Sequence, residues 1–182
     1  MVDTPRILTD RFLLRPLHPD DASARYSSWL EEAQAARYIV SAGQPHDIPA
    51  LRVYIEERMG RDDVLFLGIF TRDTGEHLGN IKYEPVDSLN RFAVMGILIG
   101  ERSWRGKRIA REVIDASAEW LHENRSIDEI ILGVDKTHLA AITAYEKAGF
   151  GVEKSSRIRE DAASALIMVR HFARPGKKKA GA

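Results

Sequence analysis

A chain of 182 residues, 44% hydrophobic and 30% charged, is long enough for one domain with a real core and short for two. The formal net charge is zero, so the overall balance argues for neither a nucleic-acid nor an anionic-membrane partner. The absence of cysteine excludes disulfides, thiol nucleophiles and thiolate metal sites. The first ten residues lack the apolar core of a secretory leader, and no apolar run approaches the ~18 residues of a membrane span, so a cytoplasmic protein is expected.

Residues 6–18, RILTDRFLLRPLH, alternate imperfectly and predict a first strand ending near Pro16. Pro19, Asp20 and Asp21 start a helix with carboxylates in its first turn, and Tyr26, Trp29 and Leu30 follow at helical spacing. SAGQPHD reads as a loop. Asp47 then caps a second helix that tolerates Pro49 in its first turn and buries Leu51, Tyr54 and Ile55. Residues 64–71, VLFLGIFT, are too apolar and too short for a surface helix and predict a buried strand. RDTGEH turns the chain into a second strand at 78–86, and a third runs over 91–99. After SWRGKR comes an amphipathic helix with Ile109, Val113, Ala116 and Trp120 as its inner stripe and Ile114 and Leu121 beside it. Residues 128–134 form a central-type strand. Residues 139–148 form a short helix ended by Gly149, and closing strands lie at 150–152 and 165–172. No repeat or linker divides the chain. The order predicts a single α/β domain over residues 1–173, followed by a basic, solvated tail at 174–182.

The turn before the third helix clusters Arg105, Lys107 and Arg108 around Gly106. Free amides at a helix start, the helix dipole and a residue without Cβ together suit a phosphate or pyrophosphate. GxxxxGK[ST] is absent because Arg108 follows Lys107, and Gly96, Gly100 and Gly106 are wrongly spaced for GxGxxG. None of the six histidines has metal-ligand spacing, so no metal is expected.

The hexad Arg105-Gly106-Lys107-Arg108-Ile109-Ala110 resembles motif A, [QR]-x-x-G-x-[GA], of the GNAT superfamily of N-acetyltransferases, with Arg108 where glycine is expected. HLAAITAYEKAGF is similar to the later motif N-x-x-[AS]-x-x-x-Y-E-K-x-G-F, with His138 in place of asparagine. TDRFLLRPLHPDDA and LGIFTRDTGEHLGN look like the RimJ/RimL branch of ribosomal-protein N-terminal acetyltransferases. The likeness covers residues 7–172.

The resemblance implies a mixed, mostly antiparallel twisted sheet flanked by helices, whose two central parallel strands splay apart. Acetyl-CoA is the implied cosubstrate, with pantetheine between those strands. Leu98 and Ile99 would offer backbone groups to it, and Arg105, Gly106, Lys107, Arg108, Ile109 and Ala110 would hold the pyrophosphate. His138 and Tyr145 would also meet the cosubstrate, Tyr145 as the acid that protonates the leaving thiolate. The family's strand glutamate aligns with Val94, which leaves Glu84 as the substitute base and Asp135 as second choice. Tyr38, Gln44 and His46 would form the acceptor pocket with Tyr83, Glu84 and Asp135 across it. The reaction implied is direct attack of a primary amine on the thioester. A lysine-like amine at pKa about 10.4 is neutral roughly once in 10³ at pH 7, an obstacle of ~4–5 kcal/mol, whereas an α-amine near 8 faces only ~1 kcal/mol. Without a strong base, a peptide α-amine, small amino compound or amino sugar is the easier substrate. The family implies a homodimer and neither nucleic acid nor membrane as partner. A catalytically weak acyl-CoA-binding or sensor module is the alternative that the motif departures keep open.

Overall fold

The predicted first strand is two strands. The Thr9 hydroxyl accepts the Phe12 amide at 2.9 Å and turns the chain, so β1 (Ile7–Leu8) and β2 (Phe12–Pro16) pair antiparallel, Ile7 opposite Leu14. The computed structural model describes residues 5–32, 47–158 and 165–173. Pro19–Asp21 forms a separate 3-10 turn, and α1 (Ala24–Glu31) starts anew at Ser23, whose hydroxyl accepts the Tyr26 amide. Asp47 caps α2 (Ile48–Glu56) through the Ala50 amide at 2.8 Å, as expected, with Pro49 in the first turn.

β3 (Leu65–Thr71), β4 (His77–Asp87) and β5 (Phe92–Ile99) continue the antiparallel order, and α3 (Ile109–Arg125) crosses to β6 (Glu129–Asp135). Then come α4 (Leu139–Lys147), β7 (Gly151–Val152) and β8 (Ala165–His171). Among the described residues the sheet order is β1-β2-β3-β4-β5-β6-β8-β7. Only β5 and β6 are parallel, and they pair only at Phe92–Glu129, Ala93–Ile130 and Val94–Ile131. Past Val94, β5 stays on β4 as far as Ile99 opposite Gly79, while β6 follows β8 along its whole length. The two strands therefore part, and residues 95–99 have no ladder partner on the β6 side.

Side-chain alternation gives the sheet two faces. Ile81, Tyr83, Ala93, Met95, Ile130 and Leu132 pack beneath α3. On the opposite face α1 and α2 bring Tyr26, Trp29, Leu30, Leu51 and Ile55 over Phe66, Phe70 and Leu98. Ile131, Ile167 and Val169 form a smaller cluster with Phe92 and Ile158. The inner face of α3 is rotated from the expected stripe. Ala116 and Trp120 are only half-buried, while Ser117 and Ala118 join Val113, Ile114 and Leu121 inside. Ser117 is tolerated there because its hydroxyl donates to the Val113 carbonyl at 2.6 Å and meets the Tyr83 hydroxyl at 2.8 Å. Gly149, at φ +83°, ends α4 as the sequence predicted. The basic tail lies outside the described residues.

Candidate active site

Two left-handed residues shape the turn before α3: Gly106 at φ +76° and Arg108, the N-cap, at φ +61°. For a residue with a Cβ this conformation costs about 1 kcal/mol or more, which is the physical reason a glycine suits position 108. No side chain caps α3. Among the described residues the amides of Gly106, Arg108, Ile109, Ala110 and Arg111 have no protein acceptor. Backbone N–H groups left without acceptors at the positive end of a long helix form a cradle of the kind that suits an oxyanion. Glu112 pins it from behind, accepting from the Thr9 hydroxyl at 2.6 Å and from Arg11 Nε at 2.8 Å.

The three cations of the turn divide. Arg105 donates from Nε to the Ile99 carbonyl at 3.0 Å, and from its terminal nitrogen to the Gly100 carbonyl at 3.0 Å and to Glu32 at 2.5 Å. Its guanidinium is thus a brace between the end of β5 and α1, and the residue also lines the cavity described next. Lys107 lays its ammonium 5.0 Å from the Trp104 ring centroid and does not line that cavity. Arg108 does line it, and its side chain makes no hydrogen bond or ion pair among the described residues. Sequence reasoning missed Glu32, which also pairs with Arg102. Nothing local marks it, because its partners are brought in by the fold.

A cavity of about 780 Å³ runs from this cradle into the gap between β5 and β6. Ile97, Leu98 and Ile99 line one side, Gly133, Val134 and Asp135 the other, and α4 closes it with His138, Ala141 and Tyr145. Gly100 needs its lack of a side chain for a different reason than a bound ligand, since a Cβ there would lie 2.0 Å from the Trp29 ring. Tyr145 is half-buried, its ring 6.0 Å from that of Phe150. Burial pushes its phenol up to about 12, so it stays protonated at neutral pH and keeps an O–H to donate. His138 is the N-cap of α4, without a side-chain cap bond.

A sequence profile of the acetyltransferase (GNAT) domain matches residues 11–151. The chain belongs to the GNAT acetyltransferase family. Solved structures agree in fold. RimL, the ribosomal L7/L12 α-N-protein acetyltransferase solved with coenzyme A, superposes with a TM-score of 0.79 at 13% identity, covering 92% of this chain and 98% of that one. The microcin C7 self-immunity acetyltransferase MccE, solved with acetyl-CoA and AMP, gives 0.77 at 16%, covering 93% and 98%. The spermidine N-acetyltransferase of Vibrio cholerae, solved with CoA and spermine, gives 0.74 at 17%, covering 88% and 95%. No curated protein sequence matches the chain significantly.

On this GNAT scaffold the expected acceptor-side residues do not all come together. Tyr83 is fully buried beneath α3, donating its hydroxyl to Ser117, and burial pushes its phenol up; it cannot touch an acceptor. Strand alternation decides this, since Lys82 and Glu84 project from the other face. Glu84 is no free base either. Lys82 Nζ lies 2.8 Å and Arg58 Nε 3.1 Å from one oxygen, and Arg61 3.4 Å from the other. Burial alone would raise its carboxyl, but the bond from Lys82 and the charges of Lys82 and Arg58 outweigh that and hold it below the usual carboxylate range. Asp135 lines the cavity, accepting the Thr137 amide at 2.7 Å and the Thr137 hydroxyl at 2.5 Å. Tyr38, Gln44 and His46 lie outside the described residues.

Proposed function

We propose that this protein is an acetyl-CoA-dependent N-acetyltransferase of the RimJ/RimL-like branch, moving an acetyl group to a primary amine by direct attack. The observation that carries this is one continuous cavity joining the bare amides before α3, the unpaired edge of β5 and the Tyr145 hydroxyl. The cradle fits a pyrophosphate, with Arg108 as the added cation. The β5 edge offers an N–H near Leu98 or Ile99 to the thioester oxygen as negative charge builds on it. The amine nitrogen bonds to the carbonyl carbon, the C–S bond breaks, and the amine's proton leaves for the thiolate.

Tyr145 assists by donating a hydrogen bond to the sulfur. With a phenol near 12 and a thiol near 8.5, outright transfer from tyrosine runs uphill by about 5 kcal/mol, so the phenol stabilises the developing thiolate more than it titrates. The missing strand carboxylate at Val94 and the ion-paired Glu84 favour an amine that loses its proton more readily near pH 7 than a lysine side chain does, such as a peptide α-amine, a small amino compound or an amino sugar. The family resemblance extends the reading to a cytoplasmic homodimer. Among the described residues no helix is long and apolar enough to cross a membrane.

The test is CoA thiol release from acetyl-CoA across an amine panel. Turnover with at least one primary amine supports the reading. Tight acetyl-CoA binding without release would instead favour an acyl-CoA sensor, the reading to which Val94 in the glutamate position and the ion-paired Glu84 lend their weight.

A further inference from the structure

Among the described residues the sheet face opposite α3 has a bare strip where β5 and β6 part. Gly96 and Gly133 are both exposed, and a Cβ on either would meet no described atom within 4 Å. Past the last parallel pair, Val94–Ile131, these two residues flank the opening gap, so the strip is the short way from this face to the thioester slot. Directly opposite Gly96 on β4 stands Lys82. Cross-strand partners share a face with Cβ positions ~5 Å apart, so the missing Gly96 side chain leaves the space beside Lys82 open.

Lys82 is built in. Its ammonium lies 2.7 Å from the Tyr54 hydroxyl and 2.8 Å from Glu84, and its side chain is 27% exposed. Arg58 stands behind it, 16% exposed, donating to Glu84 at 3.1 Å and lying 3.6 Å from the Tyr54 ring centroid. Two half-buried cations thus share one carboxylate oxygen, while Glu57, 3.7 Å from Arg58, stands more exposed at the rim. An ammonium has three N–H donors; among the described residues Lys82 uses two. The remaining donor is left for solvent or a ligand, and the open strip is where a ligand can reach it. Glu84 offers little to a polycationic acceptor, since Lys82, Arg58 and Arg61 already hold both of its oxygens.

We propose that Lys82, backed by Arg58, is an anion site of the acceptor groove. The acceptor class is then an amine that carries an oxyanion, carboxylate or phosphate, a few bonds from its reacting nitrogen. This rests on the N-acetyltransferase reading above.

The experiment measures kcat/KM by CoA release for matched acceptors. Serine is set against serinamide, O-phosphoethanolamine against ethanolamine, and glucosamine 6-phosphate against glucosamine, with spermidine as the polycation. The expected result is a preference of about tenfold or more for the anionic member of at least one pair, the worth of one charged hydrogen bond. A carboxylate source shows in the serine pair and a phosphate source in the other two. Lys82→Gln should abolish most of that ratio through KM, Lys82→Arg should restore much of it, and acetyl-CoA affinity reports that both variants are folded. Equal or better use of the neutral members or of spermidine overturns the anion site and leaves the acetyltransferase reading standing. A ratio unmoved by Lys82→Gln overturns it as well. No release with any acceptor overturns both.

Discussion

Arg108 sits at φ +61° as the N-cap of α3 and faces the cavity without a partner among the described residues. The backbone prefers glycine there, while the cradle gains from a cation, and the two preferences separate in one variant. Arg108→Gly should raise the unfolding free energy from urea titration by about 0.5–1 kcal/mol after the extra freedom of an unfolded glycine is subtracted. It should also raise the acetyl-CoA KM about tenfold, the scale of a charged contact with phosphate. A stability gain with unchanged KM would show that the guanidinium faces solvent. Tyr145 makes the second residue-scale prediction. Tyr145→Phe should cut kcat about a hundredfold with little change in acetyl-CoA KM. Since burial places the phenol at about 12, wild-type kcat should show no alkaline fall attributable to it below pH about 10.

At the scale of elements, the turn before α3 is held by α1 as well as by its own strand and helix. Glu32, at the C-cap of α1, takes Arg105 and Arg102, and Arg25 of α1 takes Glu76 and Glu101. Arg105 in turn fixes the carbonyls of Ile99 and Gly100, the end of the edge that borders the cavity. Glu32→Gln should therefore raise the acetyl-CoA KM several-fold while kcat is largely kept, read from initial rates at saturating amine. The bonds from Arg105 and then Arg102 hold the Glu32 carboxyl below the usual carboxylate range. The clasp is thus fully present above the ordinary glutamate pKa, and weakens only as pH falls through the lowered folded value. Gly100→Ala should fail for a steric reason in the same place, because its methyl would occupy the Trp29 ring position. The expected readout is a lower melting temperature.

At the scale of the whole molecule, the second core contains a histidine that the reaction does not use. His77 stacks on Phe70 at 4.6 Å, meets Trp29 and Tyr26 edge-on, and has Nε2 2.9 Å from the Gly79 carbonyl. Burial pushes it down to about 4. Between pH 6.5 and that value the unfolded chain binds a proton that the folded chain refuses, so stability falls as pH falls. The expected loss is about 2–3 kcal/mol by pH 4.5, seen in the urea midpoint and largely absent in His77→Phe.

The sequence by itself determined whatever rests on local signals. Period and apolar runs gave the order of strands and helices. Asp47 and Gly149 gave one cap at each kind of helix end, and the spacing around Gly106 and Tyr145 gave the two motifs. Only the tertiary structure decided what depends on facing and on distant charge. The pleat sends Tyr83 into the core and Lys82 and Glu84 to the opposite face, and a strand of mixed polarity does not announce which is which. Arg105 and Arg108 read alike in sequence, and differ because Glu32 arrives at one and not at the other. A charged side chain takes its role from the partner that the fold brings within ~4 Å, and that partner here comes from another element of the sheet or its covering helices.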